Sequence, residues 1–402
     1  MHIALVNQWY PPETGGGGVA THNFYFANAL VEAGHQVSVI ASRFTAQTPT
    51  RSVQNGVKVI RVTSPNLYRW RRLPLAGRQY RFVQAAIYSR RVCRALAALH
   101  QELPVDIAEF ADVNAEGLFW RNGMSRLLVV RCHMPAWILA RTYTAVEAPY
   151  SIALLGRAEK AVIRRADLVS APSRSLANLI TAECELPANH IHVTANALDT
   201  RTFAPGPMRA PAEVINVLWV GRLERAKGAD LLIEAIPGIC ERVAGVRFII
   251  VGGARPHPQG GTYETFMRAR FGDLIAVDRI DLRGAMAQDD LPDVYRISDI
   301  AVVPSLLFES FSFTVAQAMA YGLPVVASRI GGIPETLDDG RCGLLVSPNN
   351  TDEFVAAVAQ LATHPEQRRQ LGQAARERAV SVFTAETVAR QSVGIYEQAL
   401  HN

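Results

Sequence analysis

The chain has 402 residues, 49% of them hydrophobic and 19% charged, which fits roughly two to three globular domains and excludes disorder, collagen and coiled coil. Its five cysteines (Cys93, Cys132, Cys184, Cys240 and Cys342) are odd in number and never spaced C-x-x-C, so a reducing compartment is expected rather than a disulfide scaffold. The opening MHIALVN reads as a strand and no apolar run nears the ~20 residues of a membrane span, so the expectation is a cytoplasmic chain without an export signal.

The net charge of +5 is unevenly shared: residues 1–205 carry 22 basic and 13 acidic side chains, the remainder 19 and 23. No Asp or Glu lies between Glu32 and Glu102, whereas twelve Lys or Arg do, eight of them arginines from Arg69 to Arg94. Such a field is either a solvated helix face in an arginine-rich chain or a surface for anionic partners. Tyr68, Trp70, Tyr80, Phe82 and Tyr88 are interleaved with it, which suits a lipid headgroup layer or an acidic glycan as well as nucleic acid. The partner expected there is an anionic membrane surface, touched peripherally, and not nucleic acid.

In chain order, IALVN at 3–7, a helical pattern from about Thr21 to Ala33 and QVSVIA at 36–41 read strand, helix, strand, and so imply a parallel sheet. Further strands are predicted at 57–62, 106–110, 126–133, 167–172 and 190–196, with helices between them. APGPMRAPAE at 204–213 packs three prolines and a glycine between strand patterns and reads as an interdomain linker. A second series then follows, with strands at 214–221, 246–253, 280–284, 299–305 and 324–328 and helices starting near Asp230, Leu291, Thr314 and Asp352. A last amphipathic helix runs from about Ala385 to Leu400. The fold class is therefore α/β, two doubly wound Rossmann-like domains, with the site expected in the cleft between them.

Three stretches could carry chemistry. Gly15, Gly16, Gly17 and Gly18 precede the first helix, where backbone amides and the helix N-terminus favour an anion. A nicotinamide enzyme would place an acidic residue about twenty positions on, where Ser42 and Arg43 stand instead, and a purely structural turn is the other alternative. The strand at 214–221 ends in GRLERAKG, setting Arg222 and Lys227 around a loop where a diphosphate would sit. Lys227 is one of only three lysines beside 38 arginines; it is a ligand contact or a solvated loop cation. In the stretch 302–348, Glu309 lies in a loop, Ser310, Phe311, Ser312 and Phe313 lead into a helix near Thr314, and Gln317 falls one turn inside. Successive amides at a helix N-terminus beside one carboxylate read as a phosphate site with sugar hydroxyls alongside, unless Glu309 merely complements the helix dipole.

The whole chain, in order, resembles the retaining nucleotide-sugar glycosyltransferases of family 4, whose GT-B architecture sets two Rossmann-like domains facing each other across a cleft. The matching motifs are Gly15 to Gly18, VGRLERAKG at 220–228, PSLLFESFS at 304–312, QAMAYGLPVVA at 317–327 and GGIPE at 331–335. The resemblance implies that Arg222 and Lys227 bind the donor diphosphate, that Glu309 binds the donor sugar, and that amides from Phe311 to Thr314 join at the phosphate. His133 would correspond to a histidine facing the donor sugar, and RGAM at 283–286, with Gly284 and Met286, to the loop reading the nucleobase. Two positions depart from the family pattern: Gln317 stands where a glutamate grips the ribose, and Ser312 where a glycine follows E-x-F. Asp167, Ser173, Asn196 and Asp199 read as caps and turns.

The implied activity is that of a metal-independent retaining hexosyltransferase, with a nucleotide diphosphate sugar as co-substrate and no further cofactor; no D-x-D motif occurs. The acceptor would be a glycan, a polysaccharide or a lipid-linked sugar. The implied domains are an acceptor domain at 1–205, a donor domain at 206–384, and a helix at 385–402 packing back on the first. The alternative is a relative that binds nucleotide or glycan but has lost catalysis through Gln317.

Overall fold

The computed structural model describes residues 1–11, 17–72, 79–142, 149–205 and 214–401. The chain divides into two α/β units: Met1–Ala197 with Ala385–Asn402, and Leu198–Thr384.

Unit 1 is built on β1 (His2–Val6), β2 (Gln36–Arg43), β3 (Arg51–Gln54), β4 (Val57–Thr63), β5 (Ile107–Ala111), β6 (Leu127–Arg131), β7 (Leu168–Ala171) and β8 (Ile191–Val193), in the order β3-β4-β2-β1-β5-β6-β7-β8. Every pair is parallel except β3 with β4. All residues of β1 and β5 are buried, as expected where helices cover both faces of a parallel sheet. The antiparallel edge β3 was not anticipated. It forms a hairpin through Asn55 (φ 49°) and Gly56 (φ 80°), an Asn-Gly turn that is itself a strong hairpin signal.

The predicted boundary at 205/206 is corrected to Ala197/Leu198. The Leu198 amide donates to the Phe383 carbonyl at 2.9 Å, and Arg376 donates to the carbonyls of Thr200 and Phe203, each at 3.1 Å, so residues 198–205 are tied into unit 2. Most of the predicted linker, 206–213, lies outside the described residues. The last helix, Ala385–His401, is held in unit 1 by a buried polar network. Arg131 pairs with Glu109 at 3.0 Å and donates to Thr194 and, at 2.9 Å, to Ser392, while the Tyr396 hydroxyl donates to Glu109. A buried ion pair lacking one partner is strongly destabilising, so this network fixes where the helix docks.

Unit 2 contains β9 (Ile215–Val220), β10 (Val246–Val251), β11 (Ile280–Gly284), β12 (Ile300–Val303), β13 (Val325–Ser328) and β14 (Leu344–Val346), all parallel in the order β11-β10-β9-β12-β13-β14. In each sheet the strand order reverses beside the first strand, between β1 and β5 and between β9 and β12. Crevices at such switch points are where open α/β sheets bind ligands, beyond the carboxyl ends of the strands.

Candidate active site

In unit 2 the switch point brings the loops after β9 and β12 together. The first carries Gly221-Arg222-Leu223-Glu224, a short turn Arg225–Lys227, and Gly228. The second carries Pro304 to Ser312 and leads into the helix Phe313–Ala320. Their backbones touch: the Leu306 amide donates to the Ala226 carbonyl at 3.0 Å, and Gly228 (φ 79°) lies so close that a Cβ there would stand 1.9 Å from the Pro304 oxygen. A third loop closes the site from β13. Gly332 donates its amide to the Glu309 carbonyl at 2.7 Å, and Gly331 adopts φ 56° directly against the Glu309 backbone. The V-G-R, P-S-x-x-x-E and G-G-x-x-E stretches thus form one contiguous structure, which explains why glycines recur at its seams.

The side chains converge accordingly. Lys227 Nζ lies 2.5 Å from Glu309 Oε1, which also accepts from Ser305 Oγ at 2.9 Å. Among the described residues no donor reaches Glu309 Oε2, which is left to accept from a ligand hydroxyl. Arg222 pairs with Glu224 at 2.7 Å and its side chain is 49% exposed, available to an anion in the same loop. The helix Phe313–Ala320 begins without a side-chain cap, so its first-turn amides, at Phe313 and Thr314, remain donors at its positive end. Ser312 occupies the position before that helix at φ 63°, ψ 89°. It therefore follows the left-handed path a glycine would take, at a cost of roughly 1 kcal/mol.

Two expected contacts are differently placed. The Phe311 side chain is buried against Phe313 and Phe383, each at a ring-centroid distance of 5.3 Å, so only its backbone is offered. Gln317 is also buried, and its Oε1 accepts from the Tyr295 hydroxyl at 3.2 Å. Tyr295 in turn stacks on Tyr321 and is met edge-on by Phe203. What Gln317 retains for a ligand is its amide N–H group, a donor, where a carboxylate would accept. Gly284 (φ 67°) ends β11, with its carbonyl held by the Gly252 amide at 2.7 Å, and the half-buried Met286 follows in the same loop.

In unit 1 the switch point places Gly17, Gly18 and His133. Gly17 (φ 120°) precedes the helix Gly18–Glu32, and a Cβ there would meet nothing within 4 Å, so the position is open to a ligand. Gly16 lies outside the described residues. His133 follows β6, is 4% exposed, and sits edge-on to His22 at 5.3 Å. Burial, aided by the Arg131 charge, pushes His133 down to about 3, so its imidazole is neutral and can orient a hydroxyl but is not a proton donor at neutral pH. His22 was not anticipated. Its Nδ1 accepts from the Ala197 amide at 2.9 Å, which puts the proton on Nε2.

Beside His133 lies a group of buried carboxyls that sequence reasoning also missed. Burial pushes Asp112 up to about 7, against the amides of His133 and Met134, and pushes Glu116 up to about 8. Glu159 is likewise raised well above the usual carboxyl range by burial, although both of its oxygens accept backbone amides, from Asn114 and Ala136. Between the ordinary carboxyl pKa near 4 and these values, the folded chain holds protons that the unfolded chain releases. Stability from these groups is therefore full below about pH 4 and is lost as pH rises towards 7 to 8. Denaturation curves across that window should show the decline, on the order of 4 kcal/mol from Asp112 alone, and Asp112→Asn with Glu116→Gln should reduce it.

Comparison with known proteins accords with this geometry. The family described as Glycosyltransferase Family 4 matches residues 16–202, and that described as Glycosyl transferases group 1 matches residues 205–378. The chain is 27% identical to the MMP alpha-(1->4)-mannosyltransferase of Mycolicibacterium hassiacum, over 100% of this chain and 98% of the relative. It is 32% identical to the D-inositol 3-phosphate glycosyltransferase of Kribbella flavida, over 70% of this chain and 68% of the relative. Among solved structures, sucrose-phosphate synthase from Thermosynechococcus elongatus superposes with a TM-score of 0.79 at 23% identity, covering 100% of this chain and 99% of that one, which is a likeness of fold. Two Rossmann-like units, their ordered motifs and these matches place the chain in glycosyltransferase family 4, with the GT-B fold and nucleotide-sugar chemistry of that family.

Proposed function

We propose that the chain transfers a hexose, with retention of configuration and without a metal, from a nucleotide diphosphate sugar to a glycan, polysaccharide or lipid-linked acceptor. The observation that carries this reading is the Lys227–Glu309 contact at 2.5 Å, a cation and a carboxylate at the switch point of unit 2. In the reaction the bond between the anomeric carbon and the phosphate oxygen breaks, its electron pair stays on the diphosphate, and the acceptor oxygen bonds to the anomeric carbon. Lys227, Arg222 and the amides of Phe313 and Thr314 stabilise the charge growing on the leaving group. Glu309 Oε2 accepts from a sugar hydroxyl, and its fixed negative charge complements the positive charge on the anomeric carbon. The departing phosphate takes the acceptor proton, since burial and the Arg131 charge make His133 too weak a base to hold one at neutral pH.

Gln317 would meet the ribose as a donor through its amide N–H, so the ribose hydroxyl accepts there. A charge-assisted bond is roughly twice as strong as a neutral one, and donor affinity is expected to be correspondingly modest. Among the described residues no helix is long and apolar enough to cross a membrane. Peripheral contact with an anionic surface is a further part of the proposal, placed at the turn that carries Tyr68 and Trp70, 49% and 41% exposed, with Arg69 and Arg72.

The test is a screen of nucleotide sugars with chelator present, read by mass spectrometry of products and by NMR of the new anomeric centre. Transfer with the donor's anomeric configuration kept is expected. Inversion, or transfer only after divalent metal is restored, would refute the corresponding part of the reading. Nucleotide binding without transfer from any donor would point to the lapsed relative.

A further inference from the structure

Among the buried carboxyls of unit 1, Glu159 has no part in the chemistry proposed above. It lies on the helix Pro149–Arg164, is fully buried, and among the described residues pairs with no Lys or Arg. Its two oxygens reach two different loops. Oε1 accepts from the Asn114 amide, after β5, and Oε2 from the Ala136 amide, after β6, each at 2.9 Å. The same face of the helix is built round those two loops. Gly156 lies so near the helix Ala136–Thr142 that a Cβ there would stand 3.1 Å from Trp137 Cβ, and a Cβ on Gly117 would meet Val162 at 2.9 Å. Arg165, just past the helix end, donates to the Gly117 carbonyl. Residues 156, 159 and 162 recur at every third position and so share one side of the helix. One end of this stripe grips the segment after β6 and the other the segment after β5, with Glu159 between them holding both.

Both segments need holding. After β5, Asn114 (φ 61°) and Ala115 (φ 47°) are left-handed in succession, and Ala115 has no polar side chain to offset the steric cost. After β6, the amides of the turn are committed to acids. The Cys132 amide closes the ladder on the Ser170 carbonyl, and the His133 and Met134 amides face the Asp112 carboxyl. Pro135 has no N–H, and the Ala136 amide is the one on Glu159. His133 itself is buried, and its Nε2 has no partner among the described residues. The backbone of the turn, rather than a bond to that nitrogen, therefore sets where the ring points.

A side chain that takes both amides must offer two acceptor oxygens. Glutamine offers one oxygen and one NH2 group, and an NH2 group against a backbone N–H sets donor against donor. We infer that Glu159 is a positioning residue for sugar transfer: by holding the Asn114 and Ala136 amides together it fixes the turn that aims His133. The inference rests on the transfer reading, in which His133 meets the donor sugar, and adds the group that keeps it in place.

The test is a double-mutant cycle of Glu159→Gln and His133→Ala in the full chain. Release of nucleoside diphosphate is followed at steady state from whichever of UDP-glucose, GDP-mannose and ADP-glucose the unaltered chain consumes, with calorimetry of UDP, GDP and ADP and thermal denaturation of the same samples. Glu159→Gln is expected to lower kcat about 10- to 100-fold through misaiming, with the donor KM little changed. Nucleoside diphosphate binding by unit 2 should stay within about twofold, and once His133 is alanine the same substitution should cost less than about twofold more, because the group it positions is gone. A carboxyl that only supports the fold predicts equal losses in both backgrounds. That result overturns the inference, as does a kcat unmoved by Glu159→Gln. If Glu159→Gln shows no cooperative unfolding, Glu159→Asp takes its place in the cycle, since it keeps two oxygens but is one methylene too short to reach both loops. Failure of both variants to fold assigns Glu159 to the fold alone and also overturns the inference. An unaltered chain that binds a nucleoside diphosphate but consumes no donor loses the transfer reading, and this inference with it. With nucleotide binding and transfer intact in the unaltered chain, a failed cycle removes the role of Glu159 and leaves the donor reading standing.

Discussion

Lys227→Ala is expected to lower kcat for sugar transfer by a factor of about 10² to 10³, the loss seen when one fixed donor is removed from a developing anion. Lys227 Nζ stands 2.5 Å from Glu309 Oε1 at the end of a loop whose backbone is held on both sides, so the charge is positioned before substrate arrives. Its side chain is 30% exposed, and the pair adds little to stability, so the unfolding midpoint should barely move. Lys227→Arg should not restore the rate, because a planar guanidinium cannot occupy the place of a compact ammonium against both Glu309 and a phosphate. Arg222→Ala should cost less alone, since its side chain is 49% exposed. Steady-state kinetics alongside thermal denaturation of the same samples checks the claim, and a rate loss that tracks unfolding would refute it.

Gly331→Ala is expected to destabilise unit 2 by about 2–5 kcal/mol, combining the left-handed backbone penalty with overpacking. At φ 56° a Cβ would stand 2.1 Å from the Glu309 carbonyl oxygen and 2.8 Å from its nitrogen, both backbone atoms with no rotamer to yield. Relief requires moving the Glu309 loop, so the folded fraction should also lose transfer activity. That outcome separates Gly331 from a glycine at which a Cβ meets nothing, such as Gly272 in the same unit. Urea unfolding of both alanine variants, with activity measured below the transition, makes the comparison. Gly331→Ala behaving like Gly272→Ala would show that the G-G-x-x-E turn does not support Glu309.

The parallel strands were legible because fully buried strands write themselves as apolar runs, and the loops after β9 and β12 because their motifs occur in order. The sequence could not show that three loops interlock, since the contacts of Gly228 with Pro304 and of Gly331 with Glu309 are non-local backbone approaches. Gln317 was legible as a substitution but not in its consequence, because its partner Tyr295 is 22 residues away on a separate element. The buried carboxyls Asp112, Glu116 and Glu159 were missed for a different reason: acidic residues in or near loops read as solvated, and only burial reveals that they hold protons. Residues 198–205 were assigned to the wrong unit because the proline cluster is a composition signal, whereas Arg376 and Phe383, far along the chain, decide where the backbone is tied. The edge strand β3 had a visible cue in Asn55-Gly56.

The most direct measurement is calorimetric titration of the full chain with UDP, GDP and ADP, repeated on Arg222→Ala/Lys227→Ala. At least one nucleoside diphosphate is expected to bind, and the double variant to bind it at least about tenfold more weakly while remaining folded. Binding of none of the three, or undiminished binding by the double variant, would contradict the assignment of the loops after β9 and β12 as the donor site.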